Sequence, residues 1–191
     1  MIDELAIVEG IAAGVLPSPQ AWQNSTYVKI RLSGTGVAYR PSIGEYVYRS
    51  PDIWLSPAMA RRCLGLPIVI EHPPSSLLTS RYFGDRIVGM VVHSFVDEDE
   101  QALWGIGRVL DDNAASMIEA GLFCTSPAVS LPPGQSAYAD IGGGRCLVES
   151  TPSYIDHLAL VYTGTGNKGV WQRQDGPGVQ VDEQQENELA A

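Results

Sequence analysis

The chain has 191 residues, 45% of them hydrophobic, and a formal net charge of -10. That suits one domain of ordinary size with enough apolar material for a core, and its acidity argues against a nucleic-acid backbone as partner. No apolar run approaches the ~20 residues of a membrane span. The opening "MIDELAIVEG" is acidic where a secretory signal would be basic, so no such signal is expected. Cys63, Cys124 and Cys146 are widely spaced, odd in number and form no CxxC pair. They support neither a disulfide framework nor a zinc knuckle, and a reducing cytoplasm is the expected setting.

Short extended runs dominate. "YVKIRLSG" from Tyr27 alternates apolar and polar residues and predicts a strand with one wet face. "GEYVYRS" and "GLPIVIEH" follow, each bounded by Gly or Pro. Between them Ser56 can cap a helix over "PAMARRCLG", with Pro57 at its first position and Gly65 just past its end. "RIVGMVVHSFVDEDE" and "ALWGIGRVLDD" read as paired strands, with Asp97 to Glu100 as the turn. Asp111 or Asp112 can cap "NAASMIEAG", which Gly121 stops. "GLFCTSPAVSL" and "HLALVYTG" are further strands, and "PPGQSAYADIGGG" (Pro132 to Gly144) reads as a polar, flexible excursion between them. Some seven strands with a few short helices predict a mostly β, α+β fold: an antiparallel barrel or sandwich with helical insertions. Neither repeats nor heptads appear.

After Trp171 the composition turns polar and acidic. The expectation is a domain over residues 1–171 and a disordered tail over 172–191 that packs against nothing. Such a segment cannot offset an ordering cost of roughly 1–2 kcal/mol per residue. Its small-residue end, "NELAA", suits a tether or a site of self-cleavage.

The candidates for chemistry are His72 in "IEHPP", His93 in "VVHSF", His157 in "SYIDHLALVYTGTG", and Ser126 and Ser130 in "CTSPAVSL". GxSxG, HExxH and GxxxxGK[ST] are all missing from the sequence. A serine hydroxyl needs a base to take its proton, and imidazole serves near neutral pH. A third group must hold that imidazole's tautomer, and backbone N–H groups must receive the oxyanion. A His at a strand end, a Ser within a strand and a His followed by "TGTGNKG" supply the parts. Each also has a structural reading. His72 can simply end a strand before Pro73, His93 reads as a structural strand residue, His157 can hydrogen-bond at a sheet edge, and the glycine-rich stretch can be a plain turn. Spacing leaves these alternatives open.

"LSPAMARRCLGLPIVIEHP" resembles the segment of phage prohead maturation proteases in which a helix precedes a "G-x-P-V-x-x-x-H-P" strand. "GLFCTSPAVSL" looks like the strand that carries their serine. "DHLALVYTGTG" is similar to the "NHVALV…G-R-A-G" segment of the prophage-encoded branch, and to "HVALCSVG" of the herpesvirus capsid assemblins, which share that fold. The likeness runs from Tyr39 to Gly169 and rests on the order His, Ser, His in matching local contexts.

The resemblance implies a serine endopeptidase on a small antiparallel β-barrel wrapped by helices. It would act inside the assembling procapsid, in the host cytoplasm, cutting scaffold and often itself. Its partners would be the scaffold protein and the major capsid protein, with a homo-oligomer allowed and no cofactor, nucleic acid or membrane required. On this sequence Ser126 would be the nucleophile, His72 the general base and His157 the third triad member, with Thr165 and Gly166 at the oxyanion-binding turn. Two departures stand out. Pro127 and Ala128 follow Ser126 where the family often has a glycine two residues on, which leaves Ser130 as a rival nucleophile. Thr165 and Gly166 replace the assemblins' arginine pair. Two other classes remain: a non-catalytic structural or scaffold-associated phage protein on the same fold, and a metal-dependent hydrolase using His72, His157 and Asp156, which lacks a compact ligand motif.

Overall fold

The computed structural model describes residues 3–40, 44–163 and 178–182. Asp3 accepts the Ala6 N–H at 3.0 Å and caps α1 (Glu4–Ala12), a helix that the sequence reading did not anticipate. Its Ile7, Val8 and Ile11 bury against Tyr27 and Ile106. The chain then runs through β1 (Gln20–Trp22), β2 (Ser25–Gly34), β3 (Gly36–Arg40) and β4 (Glu45–Arg49). The short helices α2 (Pro51–Trp54) and α3 (Pro57–Arg62) follow, and Ser56 caps α3 by accepting the Met59 N–H. Next come β5 (Pro67–Ile70), α4 (Ser80–Arg86) and the long antiparallel pair β6 (Ile87–Asp97) and β7 (Ala102–Val109). Asp111 caps α5 (Asp112–Glu119) through the Ala114 N–H. The last elements are β8 (Phe123–Ser130), β9 (Ala137–Ile141), β10 (Gly144–Val148) and β11 (Tyr154–Tyr162).

The strands form two sheets, in the orders β1-β2-β7-β6-β5-β11-β8 and β3-β4-β10-β9. The main core packs strands of the larger sheet against α2, α3 and α5, with Ile30, Leu32, Trp54, Met59, Ile68, Leu103, Ile118, Leu158 and Leu160 among its buried members. Close packing leaves no room for a side chain at Gly89 of β6, where a Cβ would run into the backbone carbonyl of Arg108 on β7.

The fold is mixed α+β and mostly sheet, but among the described residues the larger sheet does not close into a barrel. The ladder is also not wholly antiparallel, because β5 and β11 run parallel. Where β8 approaches β2, the contact is a side-chain bond, Thr125 Oγ1 donating to Arg31 O at 2.7 Å, in place of a backbone ladder.

The stretch Pro132 to Gly144 is not a flexible excursion. It supplies β9 and the turn into β10, with Gly142 and Gly143 at φ 63 and 84. Two consecutive positive φ values are what a two-residue hairpin turn demands, so the glycines that read as flexibility are turn chemistry. The smaller sheet is tied to the larger by a buried charge cluster. Glu149 accepts from Arg49 at 2.6 Å and from Arg40 at 3.0 Å, and Arg49 also donates to Ser33. Burial pushes the Arg49 guanidinium down to about 10, against the pull of Glu149.

The expected unpacked tail is also corrected, for residues 178–182. Val179 is only 2% exposed and bridges Ile30. Arg31 N–H donates to Gly178 O at 2.7 Å, and Gln180 N–H to Lys29 O at 2.9 Å. β1 pairs only with Ser25 to Tyr27, so the next stretch of β2 needs backbone partners, and this segment provides them. Residues 172–177 and 183–191 lie outside the described residues.

Candidate active site

The site is built on three adjacent strands, β5, β11 and β8, where Val69, Ala159 and Ser126 stand side by side. Leu158 and Leu160 of β11 point into the main core, while Ala159 and Val161 join Val69 and Cys124 on the opposite face. Period-two alternation puts His157 and Ser126 on that second face as well.

The β8 ladder explains how Pro127 is accommodated beside Ser126. Thr163 N–H donates to Leu122 O at 2.9 Å, which fixes the phase of the pairing. Cys124 and Ser126 then turn their backbone groups toward β11, and Thr125 and Pro127 turn theirs away. The missing N–H of Pro127 falls on the outer edge and costs no ladder bond.

His72 reaches the same face because the chain turns sharply after β5. Glu71 still donates its N–H to Leu160 O at 3.0 Å, but its φ is 58, and this left-handed step redirects the backbone before Pro73. The His72 ring packs edge-on against His157, with centroids 5.1 Å apart and an interplanar angle of 62°.

The contacts form one line. Ser126 Oγ lies 2.8 Å from His72 Nε2, and His72 Nδ1 lies 2.9 Å from His157 Nε2. His157 Nδ1 in turn lies 2.6 Å from Asp156 Oδ2, which also accepts the Leu78 N–H at 2.8 Å. His157 is fully buried, whereas His72 keeps an exposed edge. Surrounding protein still desolvates the His72 ring and pushes its pKa below the ordinary histidine value; the neighbouring His157 adds to this and Glu71 opposes it.

Asp156 enters through a β-bulge. Ile155 pairs with Val129 and His157 with Ala128, so Asp156 is the extra residue. In a regular strand it would point away from its neighbour's face. The bulge lets both side chains be buried together. The sequence reading considered Asp156 only as a metal ligand, since no alternation pattern discloses a bulge.

The other candidates lie elsewhere. Ser130 is four residues along β8 from Ser126, about 13 Å at strand rise, and its carbonyl accepts the Ser153 N–H and hydroxyl. His93 sits in β6 and stacks on Phe95. Thr165 and Gly166 lie outside the described residues. His72, His157 and Asp156 do not surround a common point, because His157 stands between the other two and engages both. Among the described residues no group of three His, Cys, Asp or Glu side chains could hold a metal ion. A cavity of about 490 Å³ opens beside Ile70, Tyr82 and Met117, and its wall includes none of Ser126, His72 and His157. No protein-family model matches the chain, and no curated protein is significantly similar to it.

Proposed function

We propose that this chain is a serine endopeptidase in which Ser126 is the nucleophile, His72 the general base and His157 the third member of the triad. The observation that carries the reading is the unbroken contact from Ser126 Oγ through both nitrogens of His72 to His157 Nε2. Ser126 Oγ attacks the scissile carbonyl carbon and its proton passes to His72 Nε2. The imidazolium so formed is stabilised at Nδ1 by His157. That proton then goes to the leaving amine as the C–N bond breaks, and water releases the acyl group by the same steps in reverse roles. Burial favours neutral His72, the form able to accept the proton. The atoms balance with no cofactor.

The setting follows from the sequence resemblance alone: maturation of a phage procapsid, with scaffold as substrate and possible self-processing. The test is co-expression of the full chain with its scaffold, followed by intact-mass analysis. Defined cleavage products that vanish in Ser126→Ala support the reading. Identical masses for the two proteins and uncut scaffold would count against it.

A further inference from the structure

Asp156 is held more tightly than a bystander needs to be. A single oxygen, Oδ2, accepts from Leu78 N–H at 2.8 Å and faces His157 Nδ1 at 2.6 Å. Asp156 is 6% exposed, His157 0%. The Leu78 bond pins the connection from His72 toward α4, so the carboxylate is fixed from two sides.

From this geometry we infer that Asp156 is a positioning residue that sets the proton pattern of the whole line. The inference rests on the serine peptidase reading for its catalytic meaning. A carboxylate can only accept, so His157 Nδ1 carries the proton and its Nε2 presents a lone pair. His72 Nδ1 must then be the donor to that lone pair, which leaves His72 Nε2 as the acceptor facing Ser126. The alternative pattern is inert. With the proton on His157 Nε2, His72 Nδ1 becomes the acceptor, neutral His72 carries its proton on Nε2, and Ser126 has no base. Two linked imidazoles have no intrinsic reason to choose the productive arrangement. The bulged carboxylate chooses it for them.

The experiment combines ¹⁵N NMR of the histidine side chains with covalent labelling by an aryl fluorophosphonate, in the full chain. In labelling, Ser126 Oγ bonds to phosphorus, fluoride leaves and the proton passes to His72 Nε2. The wild type should show His157 protonated at Nδ1. Asp156→Ala should shift His157 toward the Nε2–H form and slow labelling about a hundredfold. Asp156→Asn keeps an acceptor oxygen without its charge. It should hold the tautomer and slow labelling about tenfold, which a merely structural residue would not do. Should the alanine variant not fold, the asparagine variant decides. Wild-type labelling in Asp156→Asn, or an unchanged His157 tautomer in Asp156→Ala, overturns the inference. A His157 tautomer that switches between wild type and Asp156→Ala, in a wild type that never labels at Ser126, would instead sink the peptidase reading and leave the role of Asp156 standing.

Discussion

Glu71 accepts the backbone N–H of Tyr162 through Oε1 at 2.9 Å, at a level of the sheet where β5 has already ended. The same residue donates its own N–H to Leu160 O. Glu71 thus holds β11 with both backbone and side chain while its left-handed φ turns the chain toward His72. A non-glycine residue in that region carries strain of order 1 kcal/mol or more, sustained only when neighbours fix it. Glu71→Ala removes one of those bonds. We expect a stability loss of about 1 kcal/mol but a labelling rate at Ser126 reduced about tenfold, since His72 loses its brace. Thermal melting and probe labelling on one preparation separate the two effects. A wild-type rate would show that the Leu160 bond alone suffices.

The two serines of β8 make a direct contrast. Only Ser126 meets His72; Ser130 contributes its carbonyl to Ser153. Ser126→Ala should reduce cleavage by several orders of magnitude and change stability by no more than about 1 kcal/mol. Ser130→Ala should retain cleavage within a fewfold. Peptide mapping of the labelled protein checks this independently, and a label on Ser130 would reverse the assignment.

His72 titrates below its ordinary value of 6.5, through burial first and His157 second. As a general base it must be neutral, so the acid limb of cleavage should be centred below the ordinary histidine value. Stability responds in the same window. Between the ordinary value and the lowered one, the unfolded chain binds a proton that the folded chain refuses, so stability declines as pH falls through that interval and levels off below it. The ring is partly exposed, so the slope is modest. His72→Gln should flatten this part of the stability profile. Glu71→Gln keeps an acceptor for Tyr162 but removes a charge that raises the His72 value, so it should move the acid limb of cleavage to lower pH. A limb that moves the other way would contradict the sign of that interaction.

The strands that carry the site were legible because their apolar runs are short and bounded by Gly and Pro. Ser56 and Asp111 act as the caps that their positions suggested. The meeting of Ser126 with two histidines was expected from the resemblance; spacing alone left it open. What stayed hidden depends on single residues whose roles need the assembled fold. α1 buries Ile7, Val8 and Ile11 but leaves Leu5 59% exposed, so its apolar residues make no clean stripe. The Asp156 bulge breaks the alternation that a strand reading relies on. Glu149 looks like the polar end of a strand in "LVES", yet it is fully buried between two arginines that lie 109 and 100 positions away along the chain.

Val179 carries the last prediction. The segment around it is acidic and nearly without large apolar residues, and composition alone gave no reason for it to order. Its anchoring uses what composition does not count. Gly178 O and the Gln180 N–H complete the edge of β2 at Arg31 and Lys29. Ser18 holds the segment further along, donating its N–H to Asp182 Oδ2 and its hydroxyl to Gln180 O. Val179 then needs only one apolar site, which it finds in the main core. Val179→Ala removes two methyl groups from that site and should cost about 2 kcal/mol, or several degrees in thermal midpoint. Ending the chain at residue 177 removes these bonds as well and should cost more. The same segment adjoins Arg31, whose carbonyl receives the Thr125 hydroxyl next to Ser126, so labelling at Ser126 should slow in the truncated chain. A truncation that leaves both the midpoint and the labelling rate unchanged would mean that residues 178–182 are only loosely docked on β2.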